Sequence, residues 1–275
     1  LKKITHPPIV LFVRGALQKN DAAAISIVGT RRCTTYGKLS TERFAEEFAR
    51  QGVVVVSGLA YGIDTTAHLA ALRAKGITYA VIACGLDQIF PDTSQKNADK
   101  IIEGGGAIIS EYRCGVKALP AYFPQRNRII SGISIATLVA ESGEKGGALI
   151  TAKFAMDQER EVFAVPGNIS SAKSAGTNQL IKNQRAIPAL TPDGVLNELG
   201  LDKQAPELIS KSPAEKISDP VQLKIYEALD YEPIHIDKLS DNTGIEMSDL
   251  LVKLLDMEFN GLIRQLPGKT YIRGD

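Results

Sequence analysis

The stretch AAAISIVGTRR, residues 22–32, decides how the chain is read. An apolar run stops at Gly29, and Thr30, Arg31 and Arg32 follow at once. A strand leaving a sheet through a glycine turn has this form, because glycine lets backbone N–H groups come close to a phosphate. Here two arginines stand where small residues are expected. The rhythm then repeats. A helical pattern over 38–50 leads to GVVVVSG (52–58), TTAHLAALRAKG (65–76) to TYAVIACG (78–85), and NADKIIEGG (97–105) to GAIISEY (106–112). SIATLVAES (134–142), ALITAKFAMDQER (148–160) and EVFAVPG (161–167) continue it. Short apolar runs alternating with helices specify βαβ units. Strands are expected near 24–28, 53–57, 79–83, 107–110, 135–140 and 162–165. The fold class is α/β: a Rossmann-like open, mostly parallel sheet with helices on both faces.

Composition supports a packed globular chain. It has 275 residues, 44% hydrophobic and 23% charged, which is ordinary for a folded protein and wrong for a disordered one. No apolar run approaches the ~20 residues of a membrane span, and LKKITHPPIV does not make a signal peptide. Cys33, Cys84 and Cys114 are too few and too scattered for a disulfide framework. A reducing cytoplasm is the expected setting, with the cysteines as small apolar packers. His6, His68 and His235 are equally dispersed, so no metal site is expected.

Charge is unevenly placed. Residues 213–275 hold seven Lys+Arg against twelve Asp+Glu, a net of −5; with +1 on the whole chain, residues 1–212 carry +6. Opposite signs favour two domains with different partners. Apolar periodicity fades across GLDKQAPELISKSPAEKISDP, so the expected division is a core over 1–200, a linker over 201–219 and a small domain over 220–275. In that last part VQLKIYEALD (221–230) and IHIDKLSDNTG (234–244) read as helices. IEMSDLLVKLLDMEFNG (245–261) is amphipathic, with Ile245, Leu250, Leu251, Leu254 and Leu255 expected inward. GLIRQLPGKTYIR (261–273) reads as a hairpin turning at Pro267-Gly268. Three helices and a terminal hairpin make a winged helix.

Ligands of open α/β sheets bind beyond the carboxyl ends of the strands. Gly29-Thr30-Arg31-Arg32, Ser57-Gly58, Cys84-Gly85, Ser142-Gly143 and Pro166-Gly167-Asn168 all fall there, lining one edge with backbone N–H groups that favour anions. A dinucleotide is disfavoured, because GxGxxG is absent and Ser57 stands where an acid for the ribose hydroxyls belongs. GxxxxGK[ST] is absent too, so no phosphate-loop nucleotide engine and no cofactor is expected. Arginines at such a turn suit partly solvated phosphates of a polyanion. A second cationic cluster, Arg126-Asn127-Arg128 in FPQRNRII (123–130), is expected at the N-terminal turn of a helix starting near 127, with ion pairing to Glu111 or Glu141 as the alternative for one arginine. Lys153, on a helix behind Gly146-Gly147, is expected to aim at the same edge. Tyr36, Tyr61, Phe90, Tyr122 and Phe123 lie in or near these loops as possible stacking surfaces.

VGTRRCTTYG, SGLAYGIDTTAH, CGLDQIFP, SEY, FPQRNRIISG, ESGEKGGALITAKFA and REVFAVPGNI together resemble the DNA-processing protein A family (DprA/Smf), in the right order over roughly residues 5–200. That resemblance implies a Rossmann-like core binding single-stranded DNA in a basic pocket. It also implies a homodimer, and loading of a RecA-type recombinase during natural transformation, without catalytic residues. Carried over motif by motif, the DNA-binding residues are Gly29, Thr30, Arg31, Arg32, Ser57, Gly58, Arg126, Asn127, Arg128, Gly146, Gly147 and Lys153. The chain departs from the family by starting almost at the core and by reading FPDTSQKN after the CGLD turn, where Lys96 is a further candidate contact.

The alternative is a phosphoribohydrolase-like enzyme that releases a base from a nucleotide in the same pocket. Its oxocarbenium-like transition state needs a carboxylate beside it, and GEKGGALITAKF offers Lys153 in that region. Asp64 and His68 of GIDTTAH are read as a helix cap and a packed helix residue. The winged-helix domain is expected to be a protein contact rather than a duplex reader, because its third helix sets Glu246, Asp249, Asp256 and Glu258 against Lys253 alone.

Overall fold

The computed structural model describes residues 1–18, 22–201, 217, 219–230 and 233–274. By contacts the chain divides into two compact units, Leu1–Lys203 and Gln204–Asp275. Most of the expected linker lies outside the described residues. Among the described residues no helix is long and apolar enough to cross a membrane.

The first unit is built on eight strands: β1 (Phe12–Gly15), β2 (Ala24–Gly29), β3 (Val54–Ser57), β4 (Thr78–Ile82), β5 (Ala107–Ser110), β6 (Ala136–Glu141), β7 (Glu161–Ala164) and β8 (Ile187–Pro188). Their order is β1-β5-β4-β3-β2-β6-β7-β8, parallel except for β1, which pairs antiparallel to β5. The helices are α1 (Thr35–Arg50), α2 (Ile63–Arg73), α3 (Gln95–Glu103), α4 (Tyr122–Ile133), α5 (Ala148–Asp157), α6 (Ala175–Lys182) and α7 (Pro192–Glu198).

Period-two alternation sends neighbouring strand residues to opposite faces. Ile25, Ile27 and Val55 join Phe44, Phe48, Ala67 and Leu196 on one side. Ala24, Val28, Val54 and Val56 join Ile129, Ile130, Ala152 and Leu180 on the other. Both faces are covered, so the strands read as near-continuous apolar runs. The sheet is the Rossmann-like one expected. Successive strands run outward from β2 to β5, and the chain then crosses back to lay β6 on β2's other side. That reversal opens a crevice at the carboxyl ends of β2 and β6, the natural ligand position of such sheets.

The second unit contains α8 (Pro220–Ala228), β9 (Ile234–His235), α9 (Ile236–Thr243), α10 (Met247–Phe259), β10 (Ile263–Leu266) and β11 (Thr270–Arg273). Its sheet order is β10-β11-β9, giving a winged helix. Gly244, at φ +64°, ends α9 in the left-handed region, as glycine allows without strain. Ile225, Leu239, Leu250, Leu254, Met257 and Tyr271 form its core.

Several expectations need correction. The helix carrying FPQRNR begins at Tyr122, five residues before the expected start at 127, so Arg126 and Asn127 lie in its middle. Pro124 misleads: in the first turn the N–H it lacks would have no intrahelical acceptor anyway. On α10, Leu250 and Leu254 are buried and Ile245 packs partly, but Leu251 and Leu255 are 47% and 60% exposed. Cys84 is buried as expected, whereas Cys114 is exposed.

Candidate nucleic-acid interface

The crevice at β2 and β6 holds a hollow of about 700 Å3 whose walls include Gly29, Thr30, Arg31, Arg32, Arg126, Asn127, Gly146 and Gly147. These three segments, remote in sequence, meet there because each leaves or caps the same sheet edge. Arg31 and Arg32 are exposed at the rim. Their loop is fastened at both ends. Thr30 N donates to Glu141 O at 2.8 Å, and Ile63 N donates to Thr30 O at 3.2 Å. Farther along, Thr34 N and Thr34 Oγ1 donate to the Glu141 carboxylate at 2.8 and 2.5 Å. Glu141, 2% exposed, thus serves as a fastening and does not pair with an arginine of α4.

Arg126 has a different environment. It is 5% exposed, and its Nη1 donates to Gly58 O at 2.7 Å and to Val81 O, crossing beneath the hollow to the ends of β3 and β4. Asp64 lies beside it and accepts from Gly58 N at 3.2 Å and Ala60 N at 3.4 Å. Asp64 therefore does not cap α2. It sits inside the helix's first turn and holds the preceding loop, while Gly62 stands at the cap position. A Cβ added at Gly58 would stand 2.7 Å from both Arg126 Nη2 and Asp64 Oδ2, so this pair requires a glycine there. Burial pushes the Asp64 carboxyl above the usual carboxylate range, with Arg126 and the loop amides acting against it. Burial also lowers the Arg126 guanidinium to about 10, which leaves it cationic at neutral pH.

Aromatic rings complete the wall. Phe123 meets Phe90 edge-to-face at 5.7 Å, and Phe90 is 50% exposed. The Arg31 guanidinium lies 5.7 Å from the Phe123 centroid and that of Arg126 6.0 Å, both within cation–π range. Among the other aromatics singled out, Tyr36 donates to Pro166 O at 2.6 Å, Tyr61 bonds Thr93, and Tyr122 stacks on Tyr112 at 4.3 Å.

Not every expected residue arrives. Ser57 and Gly58 are buried behind the wall, Ser57 donating to Ile27 O at 2.6 Å. Arg128 turns away, with Nη2 bound to Glu111 at 2.6 Å and Nε donating to His6 O; the ion-pair alternative holds for this arginine. Lys153 lines a second hollow of about 800 Å3 with Glu144, Asp157 and Arg185, where two carboxylates offset the cations. Lys96 is exposed on α3, outside the first hollow. Conversely, Lys173 belongs to the first hollow and the sequence reading missed it. Its signal was present: SSAKS (170–174) follows the Pro166-Gly167-Asn168 exit onto the same edge.

His68 is wholly buried, and Nδ1 lies 2.6 Å from Thr78 Oγ1. Thr78 Oγ1 donates its one hydrogen to Val55 O, so it accepts from Nδ1–H and leaves His68 Nε2 deprotonated and, among the described residues, without a partner. Burial, aided by the charge of Arg126, lowers its pKa to about 3. His68 is a packed neutral residue, as expected. Among the described residues no group of His, Cys, Asp and Glu could hold a metal ion.

Fold and hollow together define a Rossmann-like core with an arginine-lined hollow at its sheet edge, followed by a winged-helix unit. The profile of the family described as DNA recombination-mediator protein A matches residues 1–200, and that of the DprA winged helix domain matches 210–269. The chain belongs to the DprA/Smf family. Protein Smf of Escherichia coli is 38% identical over 274 residues, 98% of this chain and 72% of that protein. DNA processing protein DprA of Bacillus subtilis is 42% identical over 200 residues, 72% of this chain and 67% of that protein. The solved structure of DprA from Helicobacter pylori, described by its single-stranded DNA binding mode, superposes with a TM-score of 0.67 at 30% identity, covering 72% of this chain and 90% of that one.

Proposed function

We propose that this chain binds single-stranded DNA in the hollow at β2 and β6 and acts as a recombination mediator without catalytic residues. The observation that carries the reading is the pairing of exposed Arg31 and Arg32 with the Phe123–Phe90 wall at the sheet's reversal point. Phosphates are drawn by charge-assisted donors and bases by ring faces, the two elements of sequence-tolerant single-strand binding. Family membership and the single-stranded DNA binding of the Helicobacter pylori relative support it. Delivery of the strand to a RecA-type recombinase in transformation, a homodimeric working form and a cytoplasmic setting complete the proposal.

The hydrolase alternative would have to draw its acid from Asp64. Asp64, the one carboxylate among the named lining residues, is bonded to loop amides beside Arg126. Fluorescence anisotropy with labelled oligothymidine tests the reading. Oligothymidine is expected to bind more tightly than a duplex or a nucleoside monophosphate. Equal binding of the monophosphate, or release of its base, would favour the enzyme.

A further inference from the structure

The winged-helix unit leaves one face of α10 uncovered. Leu250, Leu254 and Met257 fill its core, while Leu251, Val252, Leu255 and Phe259 are 47%, 67%, 60% and 88% exposed. At about 100° per residue these four share one helical face. Val252, Leu255 and Phe259 follow the i, i+3, i+7 spacing by which a helix anchors in an apolar groove. Isolated exposed apolar residues are ordinary; four on a single face form a patch of the kind that marks a contact surface.

The rim of that face is acidic. Asp249 and Asp256 flank it on one side and Glu258 on the other, by the same helical geometry. Lys253, the only Lys or Arg in α10, is bound to Asp219 at 2.6 Å.

We propose that α10 docks onto a partner protein whose apolar surface is edged with Lys and Arg. The charge decides among occupants. Duplex DNA needs cations on this helix, and α10 presents carboxylates. A second copy packed symmetrically on the same face would set acidic rim against acidic rim. A basic-edged protein surface satisfies both the stripe and its border.

The test uses the full chain and two labelled amphipathic helical peptides with identical leucine patterns, their remaining positions Lys in one and Glu in the other. The Lys peptide is expected to bind and the Glu peptide not. Leu255→Ser combined with Phe259→Ser is expected to weaken the Lys peptide at least about tenfold, with oligothymidine binding and melting temperature unchanged. Asp249→Lys, an exposed substitution, is expected to shift preference towards the Glu peptide. Equal binding of both peptides, or binding that survives the double substitution, overturns the proposal. So does loss of self-association or of duplex binding in that variant, which would assign the face to a second copy or to DNA. A fall in the variant's own melting temperature would assign it to an internal contact.

Discussion

Replacing Arg31 by Ala removes an exposed cation from the rim of the hollow and leaves the core intact. Single-strand affinity is expected to fall about tenfold and the slope of log K against log salt to lessen by about one. Stability should stay within about 0.5 kcal/mol. Arg126→Ala is expected to behave in the opposite way. It strands Asp64 in the interior and frees the Gly58 and Val81 carbonyls, at a cost of about 3 kcal/mol or more. Urea unfolding and anisotropy on both variants separate the roles; an Arg126→Ala protein of unchanged stability would refute the buried-floor assignment. The sequence showed both arginines as candidates but could not rank them. Their difference arises from where α4 begins, and Pro124 concealed that start.

At the scale of elements, the parallel strands were legible because both faces of each are buried, leaving plain apolar runs between glycine exits. The antiparallel β1 carried no such signal: all four of its residues are exposed. On α10, apolar residues occupy two adjoining faces, so periodicity alone could not say which is inward; Leu254 and Leu255 look alike in sequence and differ wholly in burial. The α2–β4 packing gives a pH prediction. His68 is neutral when folded down to about pH 3, whereas its unfolded form gains a proton near pH 6.5. Between those values the unfolded state binds more protons, so stability falls as pH falls, by about 1.4 kcal/mol per unit from this group. Chemical melts at pH 7, 6 and 5 are expected to show a shallower decline in His68→Leu; parallel curves would contradict this.

For the whole molecule, the opposite charges of the two parts were visible from counting alone, and the structure gives each part its own apolar core. All the named walls of the hollow lie in the first unit. A chain ending at residue 201 is therefore expected to keep oligothymidine affinity within about twofold; a larger loss would place part of the DNA contact in the winged-helix unit. The fastening of the arginine loop by Glu141 has a kinetic consequence. A seat already built needs no slow rearrangement before a strand can settle in it, so capture is governed by encounter and by charge. Stopped-flow traces with short oligothymidine should be single-exponential, with an observed rate that rises linearly with concentration. Removing the side-chain half of the tether with Glu141→Ala, which takes away both acceptors of Thr34, should bend that line towards a plateau, as settling of the loop becomes the slow step.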